Sequence, residues 1–275
     1  MSATRTKPLA AGRLVIGVPL FVLGLWVAQM LFARAAAHLP RSAALAAMGR
    51  WHSFDDGHRL RALVELIARD RAVLVTVHTT LTATVVAAAL FSVLAAPAIL
   101  VRLQGKSGAT TMAEASARYL GPMFVQSIYG GLFRAVCAGV GVIPLALFGP
   151  TGLPLFALLA SFPVLVLDRA RAAVVLEGAR PYHPGTFARA ISHVAVRPLL
   201  WLSGTILDTA KVGVGVAALC WVASGAGGAS AIWIARLGGL AALVFGLWRI
   251  ALAVQSATPD SAATDSRSDD PATAN

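Results

Sequence analysis

The sequence predicts an all-α integral membrane helical bundle with about six transmembrane helices plus interfacial amphipathic extensions, and three observations carry that expectation. Stretches free of Asp, Glu, Lys and Arg recur, the first from Leu14 to Ala33 and the longest from Ala72 to Val101. A helix crosses a hydrocarbon core about 30 Å thick with roughly 20 apolar residues. The mean hydropathy is +0.75, well above that of water-soluble chains. Charged residues make up 13% of the 275, against roughly 25% in a globular domain, too few to coat a soluble particle of this size.

Residues 1–13 carry Arg5, Lys7 and Arg13 and read as a cytoplasmic tail. The first span is expected at 14–33, with Pro19 near its start. Its end loosely imitates a signal-peptide cleavage site, but the apolar run is longer than a cleavable signal uses, so a retained helix is expected. In the polar stretch that follows, WHSFDDGH at 51–58 has turn composition. Leu60, Leu63, Val64 and Ile67 then recur at helical spacing, and Glu65 sits four residues from Arg61 and Arg69. An amphipathic helix over 58–71 is expected to lead into the second span, 73–101.

Residues 102–110 form a basic loop, and Thr111 with Glu114 matches a capping box that starts a further extension over 111–120. Gly121-Pro122 is expected to break or kink that helix before the third span, 123–148, which carries Arg134. FGPTGLP at 148–154 is a turn without charge. The fourth span, 153–167, is able to continue through the following DRARAAVVLEG, and a re-entrant hairpin over 135–167 is an alternative to two crossings. In the polar interval 168–197, Arg189, His193 and Arg197 recur every four residues opposite Phe187, Ile191 and Val194, the pattern of a helix at the headgroups. The fifth span is expected at 199–223 and the sixth at 230–252, joined by SGAGGAS. Residues 253–275 turn to Ser, Thr, Ala, Asp and Pro and read as a disordered tail.

Basic residues outnumber acidic ones 23 to 12, yet they lie between and beside apolar runs and form no basic patch on a polar domain, which argues against nucleic acid. With both termini cytoplasmic, the turns at 149–154 and 224–229 face outward and hold no Arg or Lys, while Arg102, Lys106, Arg118 and the Arg of 168–197 face inward. Residues 34–71, with seven Arg on the outer side, are the exception. The bacterial inner (cytoplasmic) membrane is the expected location. Cys137 and Cys220 lie in apolar stretches and imply neither a disulfide framework nor a zinc site.

Two groups of residues are candidate sites. Asp208 and Lys211 are three apart within the fifth span, on one helix face, and ionisable groups at that depth need partners or water. Arg134, His78 and Arg236 complete a candidate intramembrane polar cluster. A closed Asp208–Lys211 contact would make it structural, whereas a pocket gathering the other three around Asp208 would make it functional. Arg171, Arg189, His193 and Arg197 form a candidate interfacial basic face for anionic headgroups. His78, among Thr76, Thr79, Thr80, Thr82 and Thr84, reads as hydrogen-bonding glue between helices, with a polar solute path as the alternative. His52, Asp55, Asp56 and His58 lack zinc spacing and read as turn and cap residues. Ala135 with Gly139, Gly213 with Ala217, Ala235 with Gly239 and Ala242 with Gly246 are small-residue pairs that permit close helix approach. No nucleophile with an activating base, phosphate-binding Gly loop, HExxH or CxxC is present, so neither an enzyme nor a cofactor is expected.

Three segments carry a family resemblance: HSFDDGHRLRALVELIARDRAVL at 52–74, AEASARYLGPMFVQSIYGG at 113–131, and DRARAAVVLEGARPYHPGTFARAISHVAVRP at 168–198. In the last, Asp168, Arg171 and Glu177 match an Asp-x-Ala-Arg and Val-Val-Leu-Glu pattern that leads to Arg197-Pro198. Together they resemble a family of uncharacterised multi-pass bacterial membrane proteins, distantly similar to the membrane domain attached to some glycerophosphodiester phosphodiesterases. The resemblance spans most of residues 14–250 and implies the helical membrane fold. It implies no activity, and no phosphodiesterase domain is present. The leading expectation is a non-enzymatic scaffold or accessory component of envelope or lipid-associated machinery. Its partners would be a bilayer with anionic headgroups and a membrane protein or a second copy of itself. A small-solute or ion transporter or channel using intramembrane charges is the alternative.

Overall fold

The computed structural model describes residues 8–48, 71–105, 109–223 and 228–257. Among them the chain is all-helical: α1 Pro8–Ile16, α2 Pro19–Met48, α3 Arg71–Leu103, α4 Ala109–Phe148, a 3-10 turn Gly149–Gly152, α5 Leu153–Leu176, α6 Pro184–Ala195, α7 Pro198–Ala223 and α8 Gly228–Ala257. Four stretches are long and apolar enough to cross a membrane, namely Val86–Leu103, Thr110–Leu176, Pro198–Ala218 and Trp233–Ala257. The bent pair α1 and α2 would make a fifth.

Several boundaries differ from expectation for local reasons. The first span is not one helix over 14–33. It breaks at Gly17-Val18, where Pro19 lacks the amide needed to continue α1, and α2 then runs on to Met48. Gly121-Pro122 does not end α4, which is continuous with Pro122 and Pro144 inside it. The hydrogen bond lost at Pro122 is offset by packing, since Met123 and Gln126, one turn on, are fully buried. α5 continues beyond 167 to Leu176, where Gly178 adopts φ +67° and the Ala179 amide turns back onto the Ala173 carbonyl at 3.1 Å. α8 extends past 252 to Ala257. The expected turn at 51–58, the helix over 58–70, most of SGAGGAS and the tail beyond 257 lie outside the described residues.

The helices gather into two compact units. The first takes α1, α3 from Val93, α4, the 3-10 turn, α5, α6, α7 to Thr209 and α8 from Phe245. Here α4 and α5 form an antiparallel hairpin. A methyl group added at Gly130 would sit 2.9 Å from Leu167, the Phe133 and Phe162 rings are 5.9 Å apart, and Gly141 faces Phe156. Positions thus fall on one helix as they rise on the other. Val93 and Ala96 of α3 pack with Met123 and Val174, capped by Tyr119 and Val175.

α5 and α7, by contrast, run in the same direction. Trp201 Nε1 donates to the Leu158 carbonyl at 3.1 Å, Ser161 Oγ and Thr205 Oγ1 share a hydrogen bond of 2.6 Å, and Gly204 admits the Leu165 side chain. The offset between partners stays near one value, the signature of parallel helices. The interval between Leu176 and Pro198 therefore carries the chain back along α5, and its two ends lie at different heights. α6, at 12 residues, covers about 18 Å of that return.

The second unit holds α2, α3 to Ser92, α7 from Ala210 and α8 to Val244. In it Trp26 Nε1 donates to the Arg236 carbonyl at 3.2 Å, Phe32 stacks on Phe91 at 6.1 Å, and Gly238 lies against Ala218. Close helix approach occurs at Gly130, Gly141, Gly204 and Gly238. A methyl group at Gly139, Gly213 or Gly239 would meet nothing within 4 Å, so these three glycines of the expected small-residue pairs are not contact points.

Gly152 is the tightest of the backbone approaches, since a methyl group there would overlap the Pro144 carbonyl. Gly152→Ala should therefore destabilise the α4–α5 hairpin by about 1–3 kcal/mol, while Gly139→Ala should be neutral or slightly stabilising. Thermal unfolding followed by helical circular dichroism in detergent separates the two; equal melting temperatures would contradict the packing described.

Candidate functional site

Asp168, Arg169 and Arg171 fall within the buried stretch of α5. Successive helical positions are rotated by about 100°, so the three side chains reach three different neighbours. Asp168 Oδ2 accepts a hydrogen bond from Arg249 Nε of α8 at 2.8 Å. Arg249 Nη1 donates in turn to Asp208 Oδ1 of α7. The side chains of Arg249 and Asp168 are 9% and 5% exposed, that of Asp208 20%. Arg171 Nη2 donates to Ser127 Oγ of α4 at 2.7 Å, and its charge lies within electrostatic reach of Asp168 and Arg249. Two carboxylates and two guanidinium groups thus balance inside the first unit.

Arg169 takes the third direction, toward α6. Its Nη2 donates to Glu177 Oε1 at 2.7 Å, while Nε and Nη1 are buried without a hydrogen-bond partner. Beside it is a cavity of about 250 Å³ lined by Arg169, Ala173, Glu177, Ala179, Thr186, Arg189, Ala190 and His193. α6 is positioned by its own sequence. His183 caps it by accepting the Gly185 amide at Nδ1, Pro184 starts it, and Phe187, Ala190 and Val194 form its buried face. Phe187 packs against Tyr129 and Phe133, with ring centroids 6.0 and 5.9 Å away. Thr186 Oγ1 and Gln126 Nε2 hold the preceding loop through the carbonyls of Arg180 and Pro181.

Arg197 Nη1 donates to His193 Nε2 at 2.8 Å. A guanidinium cannot accept, so His193 is the acceptor and its imidazole is neutral. Burial, Arg169 and Arg197 together push its pKa from the ordinary 6.5 down to about 4.

Of the expected polar cluster, Asp208 is held by Arg249, a residue outside that cluster, and Arg134 is exposed on α4. His78, Lys211 and Arg236 belong to the second unit, where the Arg236 guanidinium lies 5.2 Å from the Trp233 ring centre. Of the expected basic face, Arg189 is exposed and His193 and Arg197 are half-buried and joined to each other. Arg171 does not belong to that face. It is 7% exposed because its position on α5 turns it inward to Ser127. Among the described residues no group of His, Cys, Asp and Glu is arranged to hold a metal, and His52, Asp55, Asp56 and His58 lie outside them. Sequence spacing missed Arg249 with Asp168 and Arg169 with Glu177, pairs 81 and 8 residues apart.

No family model, curated protein or solved structure matches this chain. Roles must therefore be assigned from the residues themselves.

Arg249→Met should leave two carboxylates without their shared partner and cost about 3–5 kcal/mol. Asp208→Asn, which keeps the Asp168 bond, should cost clearly less. Urea or thermal unfolding in detergent ranks them, and an equal or reversed order would sink the pairing. Stability should also fall on acidification. Above about pH 6.5 His193 is neutral folded or unfolded; between 6.5 and 4 the unfolded imidazole takes a proton that the folded one refuses, and below 4 the loss is complete. Melting temperatures at pH 7 and 4.5 should differ more in the wild type than in His193→Gln.

Proposed function

We propose that this chain is a non-enzymatic multi-pass component of the bacterial inner membrane, an accessory or scaffold subunit of envelope or lipid-associated machinery. One observation carries the reading: buried Arg249 joins buried Asp168 and half-buried Asp208 across three helices, while Leu147 at 70%, Leu132 at 65% and Phe148 at 63% exposed turn outward. Charge matched inside and apolar surface outside is the arrangement a lipid solvent favours. The transporter alternative draws no support from Asp208, whose carboxylate is engaged.

The parallel register of α5 and α7 supports a path other than six alternating crossings. In it α3, α4, α7 and α8 cross, the bent α1–α2 pair enters and leaves by one face, and α5 with α6 makes an excursion that returns to the end it left. Both termini stay cytoplasmic. The seven Arg of 34–71, the exception to the charge rule, then face inward at the expense of Arg102, Lys106 and Arg118.

In a background with Cys137 and Cys220 changed to Ser, single cysteines at Thr151 and Val196 should react with an impermeant maleimide from the same face, and one at Gln104 from the other. Labelling of 151 and 196 from opposite faces would restore the alternating path. Proteoliposomes should show no proton or cation flux above empty vesicles; a flux abolished by Asp208→Asn would establish the transporter instead.

A further inference from the structure

Arg169 is 9% exposed, and two of its three guanidine nitrogens, Nε and Nη1, donate to nothing. A guanidinium offers five N–H donors in a fixed fork that matches the oxygens of a carboxylate or phosphate. Its one partner, Glu177, neutralises one charge. The cavity it lines also holds Arg189, and Arg197 stands behind His193, so the surroundings keep a positive excess. The rest of the wall is small, with Ala173, Ala179 and Ala190, and Thr186 adds a hydroxyl. A second cavity, lined by Gly178, Arg180 and His183, shares Ala179, Thr186 and Arg189 with the first. The about 250 Å³ of the inner cavity exceeds the roughly 30 Å³ share of one water several times, which admits a phosphate group carrying a small polar substituent.

We infer that the cavity between α5 and α6 is a binding site for a phosphate oxyanion, with Arg169 and Arg189 as its ligands. The site deepens the proposed role at a lipid surface and rests on that reading for its biology, but its chemistry is the same whether the phosphate belongs to a phospholipid headgroup or is free in solution. Arg169 is the buried anchor, Arg189 the exposed arm that closes on the oxyanion, and Glu177 the group that keeps Arg169 oriented when the cavity is empty. His193 stays neutral there, chiefly because it is buried and then because Arg169 and Arg197 stand near it. An oxyanion gives the two unpartnered nitrogens of Arg169 the acceptors they lack and offsets the like charges of Arg169 and Arg189 on the cavity wall.

Two arms test this on the full chain. In delipidated protein in a neutral detergent, inorganic phosphate should raise the melting temperature saturably, beyond chloride at equal ionic strength. In nanodiscs of phosphatidylcholine doped with phosphatidylglycerol, gentle mass spectrometry after extraction should find one phosphatidylglycerol retained per chain. Arg189→Gln, an exposed change that leaves the core intact, should weaken either signal about tenfold, and Arg189→Lys should recover part of it. Arg169→Gln should abolish it in variants whose helical content is unchanged. A phosphate effect alone assigns the free anion, and lipid retention alone assigns the headgroup. Absence of both, or signals indifferent to Arg189→Gln, overturns the site. The maleimide and flux measurements do not involve these arginines, so failure here leaves the membrane reading standing, and failure there leaves phosphate binding in detergent to be judged separately.

Discussion

Burying Arg249 among apolar helices is tolerable only because two acceptors reach it from two other helices. An ion moved from water into such an interior costs several kcal/mol even after relaxation, and Coulomb attraction offsets this only with good hydrogen-bond geometry. Asp168 of α5 and Asp208 of α7 supply that geometry. The condition is positional as well as energetic: α5, α7 and α8 must each present one residue to the same point, which fixes the rotation of all three. A pair of apolar side chains of similar volume could hold the helices as firmly, but it would accept neighbouring registers. Charges accept one, because any slip leaves an ion alone in a low-dielectric surround.

From that point the rest of the first unit follows. Asp168 and Asp208 meet at one cation, and Ser161 with Thr205 and Trp201 with Leu158 carry the same offset toward the α5 start, which makes α5 and α7 parallel. Parallel helices adjacent in sequence need a return leg. The chain supplies it in α6, short, amphipathic and started by Pro184, with Phe187 wedged between Tyr129 and Phe133. The return leg cannot pack everywhere as closely as a long helix. The cavity between it and α5 is lined by the polar residues that a short amphipathic helix carries on its other face, Arg189 and His193.

How far this was legible from sequence depends on the range over which each cause acts. Helix existence is a local property of length and hydropathy, and α3, α4, α7 and α8 lie close to where the charge-free runs put them. The amphipathic reading of Phe187 and Val194 against Arg189 was local too, and both apolar residues are buried. Of the break or kink expected at Pro122, the break is absent, because a proline's effect on a helix depends on what its neighbours pack against, and Met123 and Gln126 are fully buried. The Asp208–Lys211 spacing drew attention to a carboxylate that Arg249 engages. The local rule for partners three apart says nothing of an arginine 41 residues away. Arg249 in turn stands near the end of the sixth expected span, 230–252, a place where Arg ordinarily needs no partner but water or headgroups. The direction of α7 relative to α5 was the least legible feature, since alternation of spans is a default that a short polar return leg overrides without leaving a compositional mark.

Arg169 of α5 and Arg249 of α8 show how the same residue type comes to differ in role. Arg249 and Arg169 are comparably buried, yet the first meets two carboxylates and the second one, with two nitrogens left over. Helical rotation decides this: Asp168 points to Arg249, which also bonds Asp208 of α7, and Arg169, one residue on, points to the cavity beside α6. Where helices converge, a polar group is surrounded by potential partners and its requirements are met internally. Where they diverge, the same desolvation is incurred with fewer acceptors in reach, and a buried cation left in that state favours any anion that arrives from outside. On α5, Asp168 that closes the internal pair and Arg169 that faces the cavity are therefore separated by a rotation of about 100°.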